Sequence, residues 1–379
     1  MVRAFLKFGL LSLLAVSIIV ASCTKEDPVP MEPDDDDMPV DTTDNEVVEV
    51  NILNLLTNQV NELIIPTCEN YQVKMNDLLS EVEGFVDNTD GTGLASVKSA
   101  YLEAYLAYQS VAVHDYYATA NVNLVNTTNL YPVDVNLLNE LIENGSYNFN
   151  TTAQQRANGF PALDYMLYGV DDVVSTFSND SKRVQFLLEL VNAMKDKADS
   201  LVDRWTGNLK ENFINNGGVE LGSSVSVQLN NILIYYEDHI RGNKVGLPIG
   251  LSGPNDTPID PDPTKIEAYY QALQEGNNNI SLTLLRAAIE EMEDIYLGTT
   301  SSGEDGISYE DLLLDKGQES LDTDIKAQFQ AIYDQINSRS SISGDENLYN
   351  SIQALVTLYK SDLFPVLNVQ DADGSNDGD

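Results

Sequence analysis

The stretch from residue 180 to residue 213 reads DSKRVQFLLELVNAMKDKADSLVDRWTGNLKENF. Its apolar side chains recur at steps of three and four, the spacing that places them on one face of an α-helix. That face contains Val184, Leu187, Leu188, Val191, Met194, Ala198, Leu201, Val202 and Trp205. A stretch of this length with a single apolar face predicts a long helix packed on a core.

The same spacing recurs along most of the chain after residue 50. Further helices are predicted near 52–85, 94–118, 224–241, 265–274, 280–297, 321–337 and 346–364. No stretch combines the strict alternation of a β-strand with a hairpin turn. The sequence therefore predicts an all-α fold without a substantial sheet.

Breaks rich in glycine and asparagine separate the predicted helices, and the break at 215–218 lies near the middle of the helical part. The chain is long enough for two domains of ordinary size. We therefore predict two packed helical bundles, residues 50–218 and residues 219–368. The acidic stretch 369–379 that follows them is predicted to be a disordered tail.

The first 22 residues have the pattern of an export signal, with Arg3 and Lys7 ahead of an apolar run that is too short to span a bilayer. Residues 20–23 read Val-Ala-Ser-Cys, the form of a lipobox, in which a signal peptidase cleaves before the cysteine. We expect Cys23 to carry lipid, palmitate included, and to anchor the chain to a membrane. The alternative is an ordinary signal with an incidental cysteine.

Residues 23–49 are predicted to form a disordered acidic tether, because eleven acidic and no basic residues lie between Glu26 and Glu49. The cluster Lys25-Glu26-Asp27 resembles the surface-export signal of Bacteroidetes lipoproteins. That resemblance implies an outer-membrane lipoprotein exposed on the cell surface. A plain linker on a periplasm-facing lipoprotein is the alternative.

The formal net charge of −40 becomes −42 when the two cations of the signal are removed. A field of this sign repels phosphate backbones, so a nucleic-acid partner is not expected. It suits a cationic partner, a metal ion or a neutral sugar. If Cys23 is lipidated, Cys68 is the only free cysteine, and no intramolecular disulfide is expected.

The segment 158–169 reads NGFPALDYMLYG, a short helix with clear boundaries. Gly159 suits the turn into the helix, Pro161 its first turn and Gly169 its end. Asp164 lies one turn beyond Pro161, so the two residues share a face. The carboxylate of Asp164 is predicted either to face a ligand or simply to favour the positive end of the helix dipole.

This segment resembles the signature of the imelysin-like family, which includes insulin-cleaving membrane proteases and iron-regulated proteins and in which Gly-x-His-x-x-Glu opens a short apolar helix. Gly159 stands at the glycine position, Pro161 at the histidine and Asp164 at the glutamate. Weaker similarities lie at 101–120 and 235–250, and the resemblance covers about 50–367. It implies two helical bundles with a site near their junction, and links to peptidase activity and bacterial iron uptake.

The chain departs from the signature where chemistry would depend on it. Histidine and glutamate three residues apart on a helix can converge on one metal ion. Proline has no ligating atom and aspartate is one methylene shorter, so we predict neither a catalytic residue nor a metal ligand here. A bound Fe or Zn ion stays an alternative that the resemblance alone implies.

Other candidate ligand-binding residues are Tyr165 on the same helix, Tyr236, Arg241 and Lys244 in the second similar stretch, and His114. Lys244 would face Asp164 or an anionic group if its loop packs beside the 159–169 helix. The alternative is a basic cap at a helix C-terminus. His114 is predicted either to have a functional role or to stabilise the end of its own helix.

The leading hypothesis is a non-catalytic, imelysin-like surface lipoprotein that binds a ligand. A role in iron or other nutrient uptake, with an outer-membrane uptake partner, is implied by the resemblance alone. One alternative is a metal-dependent peptidase of the imelysin type. The other is a glycan-binding module, which the 19 tyrosines would suit.

Overall fold

The computed structural model describes residues 51–116, 122–251, 259–276 and 279–372. The predicted signal, Cys23 and the tether up to residue 49 lie outside these ranges. The prediction of an all-α fold is confirmed, because no described residue lies in a β-strand. Among the same residues, none of the helices has the length and apolar character that crossing a membrane requires.

Nine helices are described before residue 216, and eight follow. The first nine are α1 (Ile52–Asn58), α2 (Ile65–Asp87), α3 (Gly91–Val111), α4 (Leu124–Thr128), α5 (Val135–Asn144), α6 (Gly159–Tyr168), α7 (Val173–Asn179), α8 (Ser181–Thr206) and α9 (Asn208–Asn215). The others are α10 (Ser224–Tyr235), α11 (Leu247–Ile249), α12 (Tyr269–Glu275), α13 (Asn279–Leu297), α14 (Tyr309–Asp315), α15 (Glu319–Asn337), α16 (Asn347–Thr357) and α17 (Phe364–Leu367).

Helix α2 packs against α3 and α8, α13 packs against α3, and α15 packs against α16. The buried faces of these helices form one continuous apolar core, in which Trp205 of α8 is fully buried. Because α13 joins α3 in that core, helices from both sides of the predicted boundary at residue 218 share it. The division into residues 50–218 and residues 219–368 stays a prediction.

Aspartate side chains begin many of the helices. Asp90, Asp134, Asp172 and Asp180 accept hydrogen bonds from backbone N–H groups in the first turns of α3, α5, α7 and α8. An N-cap carboxylate satisfies donors that have no partner inside the helix, and it thereby stabilises the start of that helix. Part of the acidic excess therefore fixes where helices begin.

Three long helices pass through π-helical turns directly before a proline. The turns are Gln59–Ile64, Tyr236–Gly246 and Leu358–Leu363, and the prolines are Pro66, Pro248 and Pro365. Proline lacks an N–H group and its ring clashes with the carbonyl four residues earlier, so a helix must widen or break there. The helix predicted at 52–85 passes through such a turn before Pro66, and the helix predicted at 224–241 extends through one to α11.

The first residues of the predicted tail are packed on the fold. Val369 is buried, the backbone N–H of Ala372 donates to Asn230 Oδ1 at 2.7 Å, and Asn230 Nδ2 donates to the carbonyl of Gln370 at 3.0 Å. An apolar side chain and a paired amide hold this stretch against α10. Residues 373–379, the acidic remainder of the tail, lie outside the described ranges.

Gly159 is required where α6 begins. Its φ of +72° lies in the left-handed region, and a Cβ there would lie 2.0 Å from the carbonyl oxygen of Thr128 at the end of α4. The three nearest atoms all belong to the backbone of Thr128, so neither the left-handed conformation nor the close contact can relax at low cost in free energy. The glycine lets α4 and α6 approach closely, and this fixes the position of α6.

We expect Gly159→Ala to lower the free energy of unfolding by at least about 2 kcal/mol. The matched control is Gly84→Ala inside α2, where an added Cβ meets nothing within 4 Å and the helix should gain about 0.5–1 kcal/mol. Urea unfolding of the mature chain carrying Cys23→Ser measures both. Equal effects of the two substitutions would contradict this account of Gly159.

Candidate functional site

Helix α6 directs Asp164 at the start of α12. Asp164 is 2% exposed, and its two carboxylate oxygens accept from the backbone N–H groups of Tyr270 at 2.7 Å and Gln271 at 3.0 Å. The carboxylate therefore caps α12 from another helix, where the helix dipole favours negative charge. Neither prediction for Asp164 included this contact, because the capped helix is α12 and not its own, and the residue also lines a cavity.

Lys244 pairs with Glu267 rather than with Asp164. Lys244 Nζ lies 2.5 Å from Glu267 Oε2 and 2.6 Å from Gln109 Oε1, and the lysine and glutamate side chains are almost fully buried. Burial lowers the pKa of Lys244, and the charge of Glu267 opposes that shift. A buried cation that is so closely paired is a structural element of the site and is not open to an anionic ligand.

Amide groups satisfy the rest of the Glu267 carboxylate. Its Oε1 accepts from Asn129 Nδ2 at 2.6 Å and from Gln109 Nε2 at 3.3 Å. Asn129 Oδ1 in turn accepts from the Tyr105 hydroxyl at 2.6 Å. These five residues, which we call the buried polar network, connect α3 and the end of α4 to the π-helical turn and to the segment before α12.

Two adjoining cavities lie around Tyr131 and Pro132, which line both of them. The smaller, of about 200 Å³, is also lined by Pro161, Asp164, Tyr269 and Tyr270. Pro161 therefore forms part of a cavity wall and offers no side-chain donor there. It lies beside the Asp164 carboxylate, which already caps α12.

The larger cavity, of about 840 Å³, has a mixed lining. Arg156 and Lys265 face it with Asp260 and Asp262, and Asn129 and Asn243 add amide groups. Among the lining residues that the structure describes, two cations and two carboxylates balance one another, so this part of the surface does not share the strong negative charge of the whole chain. We call the two cavities together the Tyr131 cavities.

Three tyrosines cluster beside the Tyr131 cavities. Tyr165 and Tyr270 pack edge to face with ring centroids 5.1 Å apart, and Tyr269 packs on Tyr270 at 5.1 Å. All three rings are partly exposed. Tyrosine rings offer apolar faces with a polar tip, which suits contact with amphipathic ligands.

Two of the predicted site residues lie elsewhere. The Tyr236 hydroxyl donates to the carbonyl of Ile352 at 3.1 Å, and Arg241 hydrogen-bonds to Gln353 and lies 3.7 Å from Glu237. Both side chains are buried against α16. The structure therefore brings Gly159, Asp164, Tyr165 and Lys244 to one region, but it places Tyr236 and Arg241 in the packing of α10 and the following π-helical turn on α16.

His114 lies apart from the Tyr131 cavities. Its ring is fully buried, Nε2 lies 2.7 Å from Glu291 Oε1 on α13, and its backbone carbonyl accepts from Trp205 Nε1 at 3.2 Å. His114 ends the helical segment that follows α3, as expected, but its partner is a carboxylate from a distant part of the chain.

Glu267, Gln109 and Asn129 were not predicted as site residues. Gln109 carried a usable signal, because it lies four residues after Tyr105 and eight after Tyr101, on the same helix face as these buried tyrosines. A glutamine on an apolar face must find a hydrogen-bond partner. Glu267 lies within the helix predicted at 265–274 but gave no sign of burial, and Asn129 lies outside the predicted helices.

No group of three or more His, Cys, Asp or Glu side chains able to hold a metal ion is found within the ranges that the structure describes. At the family's histidine and glutamate positions, Pro161 offers no ligand and both oxygens of Asp164 already accept backbone hydrogen bonds. The residues at this position therefore do not fit the metal ion that the signature implies.

Comparison with known proteins places the chain in a family. The Imelysin model of peptidase family M75 matches residues 64–361, so the chain belongs to the imelysin family. This confirms the resemblance seen at Gly159 and the helix that follows it. No curated protein matches the chain.

Two solved structures are similar to the fold. One is a protein named as an iron-regulated protein A precursor from Parabacteroides distasonis ATCC 8503, with a TM-score of 0.67 and 16% identity, covering 86% of this chain and 96% of that one. The other is an imelysin-like protein from Psychrobacter arcticum 273-4, with a TM-score of 0.64 and 17% identity, covering 86% of this chain and 99% of that one. At such identities the likeness shows the fold alone.

We expect Lys244→Met and Glu267→Gln each to destabilise the protein by about 3–5 kcal/mol, because each leaves a buried partner uncompensated. The double variant should lose less than the sum of the two by at least about 1 kcal/mol. Urea unfolding of the four proteins in the Cys23→Ser background gives this coupling energy. Additive losses would show that the two side chains are not energetically paired.

Proposed function

We propose that this chain is a non-catalytic surface lipoprotein that binds a neutral, hydroxyl-rich ligand of saccharide type in the Tyr131 cavities, in the service of nutrient uptake. The observation that carries the proposal is the balanced lining of the larger cavity beside three partly exposed tyrosines. Sugar rings present apolar faces to aromatic rings and hydroxyl groups to amides and charged side chains. The volumes of about 200 and 840 Å³ accommodate one or a few sugar rings.

The polar groups in and next to the lining of the cavities support binding rather than catalysis. Asp164 is held by two backbone donors, and Lys244 and Glu267 are held by each other and by amides. A general base or metal ligand needs a lone pair that can reach the substrate. These groups instead form a rigid support, which keeps the walls of the cavities in place before a ligand arrives.

Iron is the second candidate for the ligand. A structural relative is named as an iron-regulated protein A precursor, and Asp260 and Asp262 bring carboxylate oxygens to the larger cavity. Iron would enter as a chelate, because a chelate brings its own ligands to a cavity where Arg156 and Lys265 offset the two carboxylates. A peptidase of the imelysin type receives no support from Pro161 and Asp164.

The test is a calorimetric titration of the unlipidated mature chain with a panel of neutral oligosaccharides. We expect a member of the panel to bind and Tyr269→Ala to weaken its binding at least about tenfold, because the ring wall of the smaller cavity is lost. The matched control is Tyr349→Ala, which removes a partly exposed tyrosine that lines neither cavity. This control should leave the affinity unchanged.

Titrations with ferric citrate and with Zn²⁺ run beside the panel. Tight binding of either metal by the native chain, without saccharide binding, would overturn the proposal and the interpretation of Pro161 as inert. Pro161→His/Asp164→Glu, which restores the family's pair, serves as the positive control for metal affinity. An effect of Tyr349→Ala as large as that of Tyr269→Ala would place the ligand elsewhere.

Location at the cell surface is part of the same proposal and rests on Cys23 and the cluster at 25–27. In a Bacteroidetes host, Cys23→Ser should abolish labelling by palmitate and release the protein from membranes. Replacement of residues 25–27 by alanine should keep the label but protect the protein from protease added to intact cells. Unchanged membrane association of Cys23→Ser would show that the anchor is not this thiol.

A further inference from the structure

Tyr131 lies where the two Tyr131 cavities adjoin. Of the described lining residues, only Tyr131 and Pro132 belong to both cavities. Proline has no side-chain hydrogen-bonding group, so the hydroxyl of Tyr131 is the one side-chain polar group that the two described linings share. A ligand that extends from one cavity into the other therefore passes this tyrosine.

The Tyr131 hydroxyl has no hydrogen-bond partner among the described residues, although its oxygen is buried. The whole residue is only 9% exposed. A buried hydroxyl without a partner is uncommon in a native fold, because it has lost its hydrogen bonds to water without regaining them in the protein. Such a group in the wall between two cavities indicates a partner that a ligand supplies.

The buried polar network does not supply that partner. Glu267 Oε2 is paired with Lys244, and Glu267 Oε1 accepts from Asn129. Asn129 also lines the larger cavity, but its Oδ1 already accepts from the Tyr105 hydroxyl. The network therefore satisfies Tyr105 and leaves the hydroxyl of Tyr131 to the cavities.

The Tyr131 hydroxyl acts as a donor. Burial, and then the negative charge of Glu267, raises the pKa of Tyr131 well above its usual value. The hydroxyl therefore stays protonated at neutral pH, and its proton needs an acceptor with a lone pair. An ammonium group has no lone pair, and the charge of Glu267 disfavours an anionic acceptor. A neutral hydroxyl or carbonyl oxygen fits both conditions.

We propose that Tyr131 is the specificity-determining residue of the site and donates a hydrogen bond to a neutral oxygen of a ligand that occupies both cavities at once. This inference rests on the proposed function and narrows the ligand to a neutral oligosaccharide of at least two rings. One ring lies in the smaller cavity, which Tyr269 lines, and the rest of the chain lies in the larger cavity. An oxygen near the link between the rings meets Tyr131.

The experiment is a calorimetric titration of the unlipidated mature chain with glucose, N-acetylglucosamine, cellobiose, maltose, N,N′-diacetylchitobiose and the corresponding trisaccharides. We expect a disaccharide of this panel to bind at least tenfold more tightly than its monosaccharide unit. Tyr131→Phe keeps the ring and removes only the hydroxyl, and it should weaken that binding at least tenfold. Because the hydroxyl has no described partner inside the fold, urea unfolding should show this variant to be at least as stable as the native chain.

Tyr71→Phe is the matched control, since the Tyr71 hydroxyl is also buried without a partner among the described residues but lines neither cavity. It should leave the affinity unchanged. Saccharide binding that Tyr131→Phe does not weaken, or that is equally tight for a monosaccharide, overturns this inference and leaves the proposed function standing. Absence of binding throughout the panel overturns both. A loss of stability in Tyr131→Phe that Tyr71→Phe does not share would show that the hydroxyl has a partner within the protein, and this too overturns the inference.

Discussion

The ion pair between Lys244 and Glu267 is the constraint on which the site depends. Two charges taken out of water are tolerated only when they are close and when their remaining lone pairs and protons are satisfied. Gln109 and Asn129 satisfy Glu267, and Asn129 also holds Tyr105. Because these residues come from four separate parts of the chain, the demands of one buried pair fix how α3, the end of α4 and the segment before α12 meet.

The direction of Lys244 depends in turn on a proline. Pro248 forces the helix after α10 through a π-helical turn, and Lys244 lies within that turn. One additional residue in a turn rotates everything after it by about 100° relative to an α-helix. Without that rotation, Lys244 and the preceding Arg241 would face different neighbours. The missing N–H group of Pro248 therefore affects which side chains Lys244 contacts in the buried polar network.

The helical periodicity made most of the fold predictable, because α8 and α13 each bury one apolar face and the same faces are visible in the sequence. The entry into α6 was also predictable, since the glycine at 159 is needed for its backbone. Contacts between residues that lie far apart in the sequence were not predictable. Asp164 caps α12 from 106 residues away. The sequence of one helix does not reveal which distant N–H groups a carboxylate on that helix will contact. Tyr236 and Arg241 were grouped with Lys244 by nearness in sequence, but the turn that holds all three directs the first two to α16 and Lys244 to Gln109 and Glu267.

The cavities differ in charge although they belong to one strongly acidic chain. Where Arg156 and Lys265 offset Asp260 and Asp262, the field of the whole protein is locally cancelled and recognition has to come from shape, aromatic faces and hydrogen bonds. Where Glu69, Glu291 and Asp294 face a cavity between α2 and α13, no described lysine, arginine or histidine lines it, although His114 contacts Glu291 from outside the lining. Net charge alone therefore does not determine what an acidic protein binds. Arg156, Lys265 and Lys244 lie at or beside the first site, and no described basic side chain lines the second, so two regions of one helical scaffold differ in charge.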